Sequence, residues 1–169
     1  MKDRYTPFTI YSMFVATLAS LCSGYNKGVM GGVLSSVKQE FQLTPIDESF
    51  LVSIALLGGT LGSLFCGYVS DKFGRKAGLT LTAIFFIIGG LVSAFSTTYS
   101  ILCIGRFIIG MGLGTMLVVV PLYLVEISPE LYRGRFVAFS SIMSSLGILL
   151  AYTISDLFED VWNWRFILS

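Results

Sequence analysis

The chain has 169 residues, of which 54% are hydrophobic and only 12% charged, and its net charge is +1. A soluble domain carries about 25% charged residues, so this chain lacks the polar side chains to cover a water-facing surface, and lipid is its expected surroundings. The near-neutral balance excludes a basic field for nucleic acid, and the absence of histidine removes the commonest general base and metal ligand.

The first apolar run, 8–37, follows Lys2 and Arg4. It is too long for the core of a signal peptide and reads as a retained span. Further spans follow at 49–70, 77–96, 101–125 and 136–157, and a sixth begins at Trp164. Each complete run reaches the roughly 20 residues with which a helix crosses about 30 Å of hydrocarbon. None shows period-two alternation, so an all-α membrane protein is predicted over a barrel. Loops of about 4 to 11 residues make this one packed bundle. An amino terminus in the cytosol puts Lys2, Arg4, Lys72, Arg75, Lys76, Arg133 and Arg135 inside and only Lys38 and Arg165 outside. That asymmetry orients the chain as a multi-pass protein.

Within the spans, Gly24, Gly28 and Gly32 recur on one face of the first, Gly58 and Gly62 on the second, Gly110 and Gly114 on the fourth. Small residues at this spacing let membrane helices approach closely. Pro121 removes a ladder hydrogen bond near the end of the fourth span, where a kink is expected. Cys22, Cys66 and Cys103 lack CxxC spacing and read as packing residues. No metal site or cofactor is predicted. Without a Gly-x-Ser-x-Gly elbow or a phosphate loop, no enzyme is predicted either.

Two loops carry the decisive motifs. The one after the second span reads Gly67-Tyr68-Val69-Ser70-Asp71-Lys72-Phe73-Gly74-Arg75-Lys76. The one after the fourth runs from Pro121 through Tyr123, Glu126, Ser128, Pro129, Arg133 and Gly134 to Arg135, led in by Gly105-Arg106-Phe107. Both resemble the sugar porter family of the major facilitator superfamily: the first matches its Gly-x-x-x-Asp-(Arg/Lys)-x-Gly-Arg-(Arg/Lys) loop, the second its Glu-x-Ser-Pro-x-x-x-Arg-Gly element. Trp164-Arg165 resembles the family's Trp-Arg at the entrance to a sixth span. The resemblance implies a facilitator-type helical bundle, with residues 1–169 forming an incomplete amino-terminal six-helix half that lacks a carboxy-terminal partner half. The family's repeat of three helices and three helices is not obvious in the loops.

The resemblance also assigns residues. Asp71, Gly74, Arg75, Lys76, Glu126, Arg133 and Arg135 would form a cytoplasmic gate network whose ion pairs, partly desolvated, exchange with water when helices separate. Arg and Lys alone would also suit positive-inside anchors; the two carboxylates would not. Asn26, Lys27, Arg106, Ser141, Ser144 and Ser145 would line the substrate pathway. Arg106 matches a family arginine that faces the central cavity, with snorkelling to the outer surface as the alternative. Asn26 stands where proton-coupled members carry Asp and glucose facilitators carry Asn; an amide cannot titrate, which favours facilitated diffusion. Lys27 departs from the family's small residue there. It could snorkel, neutralise a carboxylate from helices further on, or favour an anionic solute. Ser141 occupies a place where the family has Gln, and with Ser144 and Ser145 it forms a polar helical stripe.

The function so implied is transport of a sugar or polyol by alternating access, with no nucleic-acid partner and the plasma membrane as the expected location. The competing reading is a truncated, non-transporting membrane protein that associates with a partner carrier through its glycine faces.

Overall fold

A computed structural model describes residues 7–128 and 132–158. Five helices account for nearly all of them: α1 Pro7–Phe41, α2 Pro45–Phe73, α3 Arg75–Ala94, α4 Tyr99–Ile127 and α5 Arg133–Phe158. The sixth span expected from Trp164 lies outside the described residues.

The helices run beyond their apolar cores because local signals favour it. Pro7 and Pro45 open α1 and α2, where the missing N–H costs nothing. Thr44 caps α2 reciprocally: its Oγ1 accepts from the Asp47 N–H at 3.4 Å, and its own N–H donates to Asp47 Oδ2 at 3.0 Å. Such a cap is worth about 1 kcal/mol. At the end of α1, Gln42 turns the chain at φ 50° and the Leu43 N–H returns to the Lys38 carbonyl. The connections are therefore shorter than the apolar runs suggest, down to the single residue Gly74 between α2 and α3. Only α3 stops early, at Ala94 rather than 96: the Phe95 N–H closes on the Leu91 carbonyl and the Ser96 N–H on that of Ser93.

Among the described residues, α2 to α5 are each long and apolar enough to cross a membrane. At 35 residues, α1 spans about 52 Å. Leu56 and Leu64 are each 70% exposed. In water such a surface would be an aggregation liability; against lipid tails it costs nothing.

α4 is the most buried helix. It packs most extensively against α2 and α3, while α1 packs against α5. Two apolar clusters hold α1 to α4: Val29, Val33 and Val37 with Leu51 and Leu102 toward one end, Met13 and Ala16 with Met116, Val120 and Leu124 toward the other. At the seams the glycines permit backbone contact. A Cβ on Gly114 would fall on the Gly59 carbonyl oxygen, one on Gly110 on that of Ala55, and one on Gly24 on that of Ser144.

Candidate functional site

The α2–α3 turn builds the first part of the site. Gly74 adopts φ 85°, a region side chains disfavour, and so lets α3 start one residue after α2 ends. Arg75, first in α3, is thereby held over the last turn of α2. Its Nη1 donates to Asp71 Oδ1 at 3.0 Å and to Ser70 Oγ at 2.8 Å; its Nε donates to Glu126 Oε1 of α4 at 2.9 Å. One planar guanidinium thus ties three helices together. The cluster is only partly sheltered: the side chains of Arg75, Glu126 and Asp71 are 25%, 48% and 74% exposed. Water therefore reaches both carboxylates, and each pair is only partly desolvated.

The other residues expected in this network lie around it. Lys76 is exposed beside Arg75. Arg133 Nε reaches the Ser128 carbonyl at 3.4 Å across the α4–α5 connection, and the Arg135 guanidinium lies 5.3 Å from the centre of the Tyr132 ring. Neither arginine makes an ion pair among the described residues. Sequence reasoning missed Ser70, which is 2% exposed and differs from many small span residues only by preceding Asp71.

Two cavities flank α1. The larger, about 600 Å³, lies between α1 and α3 with Met116 of α4 on its wall, and is mainly apolar; Cys22, Tyr25 and Asn26 reach it. The smaller, about 200 Å³, lies between α1, α4 and α5 and is lined by Ser20, Ser23 and Lys27 of α1 and Ser140, Ser141 and Ser144 of α5, with Leu117 and Pro121 of α4 among its apolar wall residues. Consecutive helical residues project about 100° apart, so Asn26 and Lys27 serve different cavities. Asn26 Nδ2 donates to the Cys22 carbonyl of its own helix at 3.0 Å.

The structure thus gathers Lys27, Ser141 and Ser144 at one cavity and leaves three expected pathway residues elsewhere. Ser145 is exposed and donates to the Ser141 carbonyl at 3.1 Å, away from the cavity. Arg106 is 2% exposed, and its Nε and Nη2 find no hydrogen-bond partner among the described residues. It is packed inside the bundle, which excludes the snorkelled position. Ser20 and Ser23 were readable in principle, lying seven and four residues before Lys27 on the same helical face. Among the described residues no three His, Cys, Asp or Glu side chains gather as metal ligands would.

Comparison with known proteins agrees with this architecture. The family model described as sugar (and other) transporter matches residues 12–169. The glucose transporter GlcP of Staphylococcus epidermidis is 38% identical over 160 residues, covering 94% of this chain and 36% of that protein. The galactose-proton symporter of Escherichia coli K12 is 36% identical over 161 residues, covering 95% and 35%. Among solved structures, the proton:xylose symporter XylE bound to 6-bromo-6-deoxy-D-glucose superposes with a TM-score of 0.87 at 28% identity, covering 97% of this chain and 42% of that one. The inward open conformation of XylE from E. coli gives 0.84 at 26% identity, covering 95% and 44%. The chain spans about a third of the length of the curated relatives it matches. With two signature loops, a facilitator-type bundle and a family match along nearly its whole length, the chain belongs to the sugar porter family of the major facilitator superfamily.

Proposed function

We propose that this chain forms the first half-bundle of a carrier that moves a sugar or polyol across a membrane by alternating access, working against a second half-bundle. The observation that carries this reading is Arg75, whose guanidinium joins α2, α3 and α4 through partly hydrated ion pairs. Such a contact is strong enough to bias a closed state and weak enough to release it. Positive charges gathered at the latch end favour a cytosolic side for that end and for the start of α1, and the membrane is taken to be the plasma membrane.

Transport by facilitated diffusion is favoured over proton symport. Asn26 carries an amide that cannot titrate, and it is already bonded to its own helix. The matched relatives include a glucose transporter and proton symporters, so the coupling must be measured. In proteoliposomes holding the complete carrier, labelled sugar uptake should saturate and stay unchanged when a pH gradient is imposed. Acceleration by an inward proton gradient would reverse the coupling assignment, and no saturable uptake of any monosaccharide or polyol would remove the transport reading.

A further inference from the structure

The smaller cavity has a lopsided chemistry. Lys27 is exposed and ion-pairs with no described residue, and among the described residues no carboxylate lines the space around it. It lies eleven residues before Lys38, whose ammonium pairs with Glu48 at the far end of α1, so the two are roughly 16 Å apart along the axis. Lys27 itself lines the cavity, so its charge is available to a solute held there.

The serines complement it. Ser20 Oγ donates to the Ala16 carbonyl at 3.1 Å, and Ser140 Oγ and Ser141 Oγ donate to the Val137 carbonyl at 2.8 and 3.2 Å. With their hydrogens so directed, these three hydroxyls present oxygen lone pairs to the space. The wall therefore accepts hydrogen bonds from a polyhydroxylated solute, while its one strong donor is a full positive charge.

Resting on the sugar-transport reading above, we propose that the solute is a polyhydroxylated monocarboxylate, a sugar acid, held with its carboxylate on Lys27 and its hydroxyls on the serines of α1 and α5. One ammonium matches one carboxylate. A phosphate monoester carries close to two negative charges at neutral pH and would leave one uncompensated at the depth of the bundle.

The test uses the complete carrier in proteoliposomes with labelled D-glucuronate, D-glucose and glucose 6-phosphate. Saturable glucuronate uptake, reduced at least tenfold by Lys27→Gln and largely kept by Lys27→Arg, is expected. Unlabelled glucuronate should also compete with any hexose uptake by the unaltered carrier, a readout that does not depend on a variant folding. Saturable glucose uptake with neither uptake of nor competition by glucuronate overturns this inference and leaves the sugar-transport reading standing. Preference for glucose 6-phosphate overturns the monocarboxylate assignment. Uptake of none of the three, nor of any other sugar or polyol, overturns both.

Discussion

A guanidinium carries five N–H donors in a fixed plane, and Arg75 directs its donors to α2 on one side and α4 on the other. Lysine offers a point charge on a flexible stem and cannot hold both carboxylates in this geometry, so Arg75→Lys should behave as a loss. The two carboxylates should differ. Glu126 is the less exposed and the only link from Arg75 to α4 among the described residues, whereas Asp71 is 74% exposed and shares its donor with buried Ser70. Glu126→Gln in the complete carrier should therefore shift the balance toward the state open at the latch end by about two- to fivefold, as expected for a partly exposed pair. Asp71→Asn should shift it less. Distances between spin labels across that end check the order, and equal effects would contradict it. Asp71, Arg75 and Glu126 were legible in the sequence because the loop motifs name them. Ser70 was not, because a serine among many in apolar spans carries no mark of its partner. Nor was the separation of Asn26 from Lys27, since α1 has polar residues on several faces and the sequence does not say which neighbour each face meets.

At the scale of helices, the glycines divide into those that hold a seam and those that do not. A Cβ on Gly114 would collide with the Gly59 carbonyl, whereas one on Gly67 would meet nothing within 4 Å. Both lie inside helices, so the intrinsic preference of a helix for alanine favours each replacement by up to about 1 kcal/mol. At Gly114 the forced separation of two backbones opposes it, at the 1–3 kcal/mol typical of overpacking. Gly114→Ala should lower the melting temperature in detergent, and Gly67→Ala should leave it unchanged or raise it. A Gly114→Ala protein as stable as the parent would show that α2 and α4 are less closely seated than the structure has them. The GxxxG spacing made these faces visible in the sequence, as did the apolar runs for the helices themselves. Pairing was hidden: α2 with α4 and α1 with α5 follow from which smooth face meets which, a property of two helices that neither sequence holds alone.

Across the whole bundle those two pairings prove to be one packing used twice. Gly24 meets the backbone of Ser144, and three residues away Gly147 meets the Leu21 carbonyl; Gly110 meets the backbone of Ala55, and three residues away Gly58 meets the Phe107 carbonyl. Thus α1 stands to α5 as α4 stands to α2, a symmetry that the loops conceal because only one of them bears the Arg75 latch. On the proposed function, the latch would restrain one pair directly, through Glu126 on α4, while the serine-lined cavity lies between α1, α4 and α5. Releasing the latch should then be felt in the cavity with a definite sign. Among the described residues Cys22 is the exposed cysteine, Cys66 and Cys103 being buried, so a background with Cys22→Ser and every reactive cysteine outside this chain replaced allows Ser141→Cys to report on access. In the complete carrier, adding Arg75→Ala should raise labelling of that cysteine by an impermeant maleimide applied at the latch end, by about two- to fivefold if a partly exposed ion-pair network sets the balance. Labelling from the opposite side should fall correspondingly, because a population moved toward one open state is withdrawn from the other. General loosening of the bundle would raise both rates. A parallel increase from the two sides would therefore refute the latch as a switch between states and leave Arg75 as a structural tie alone.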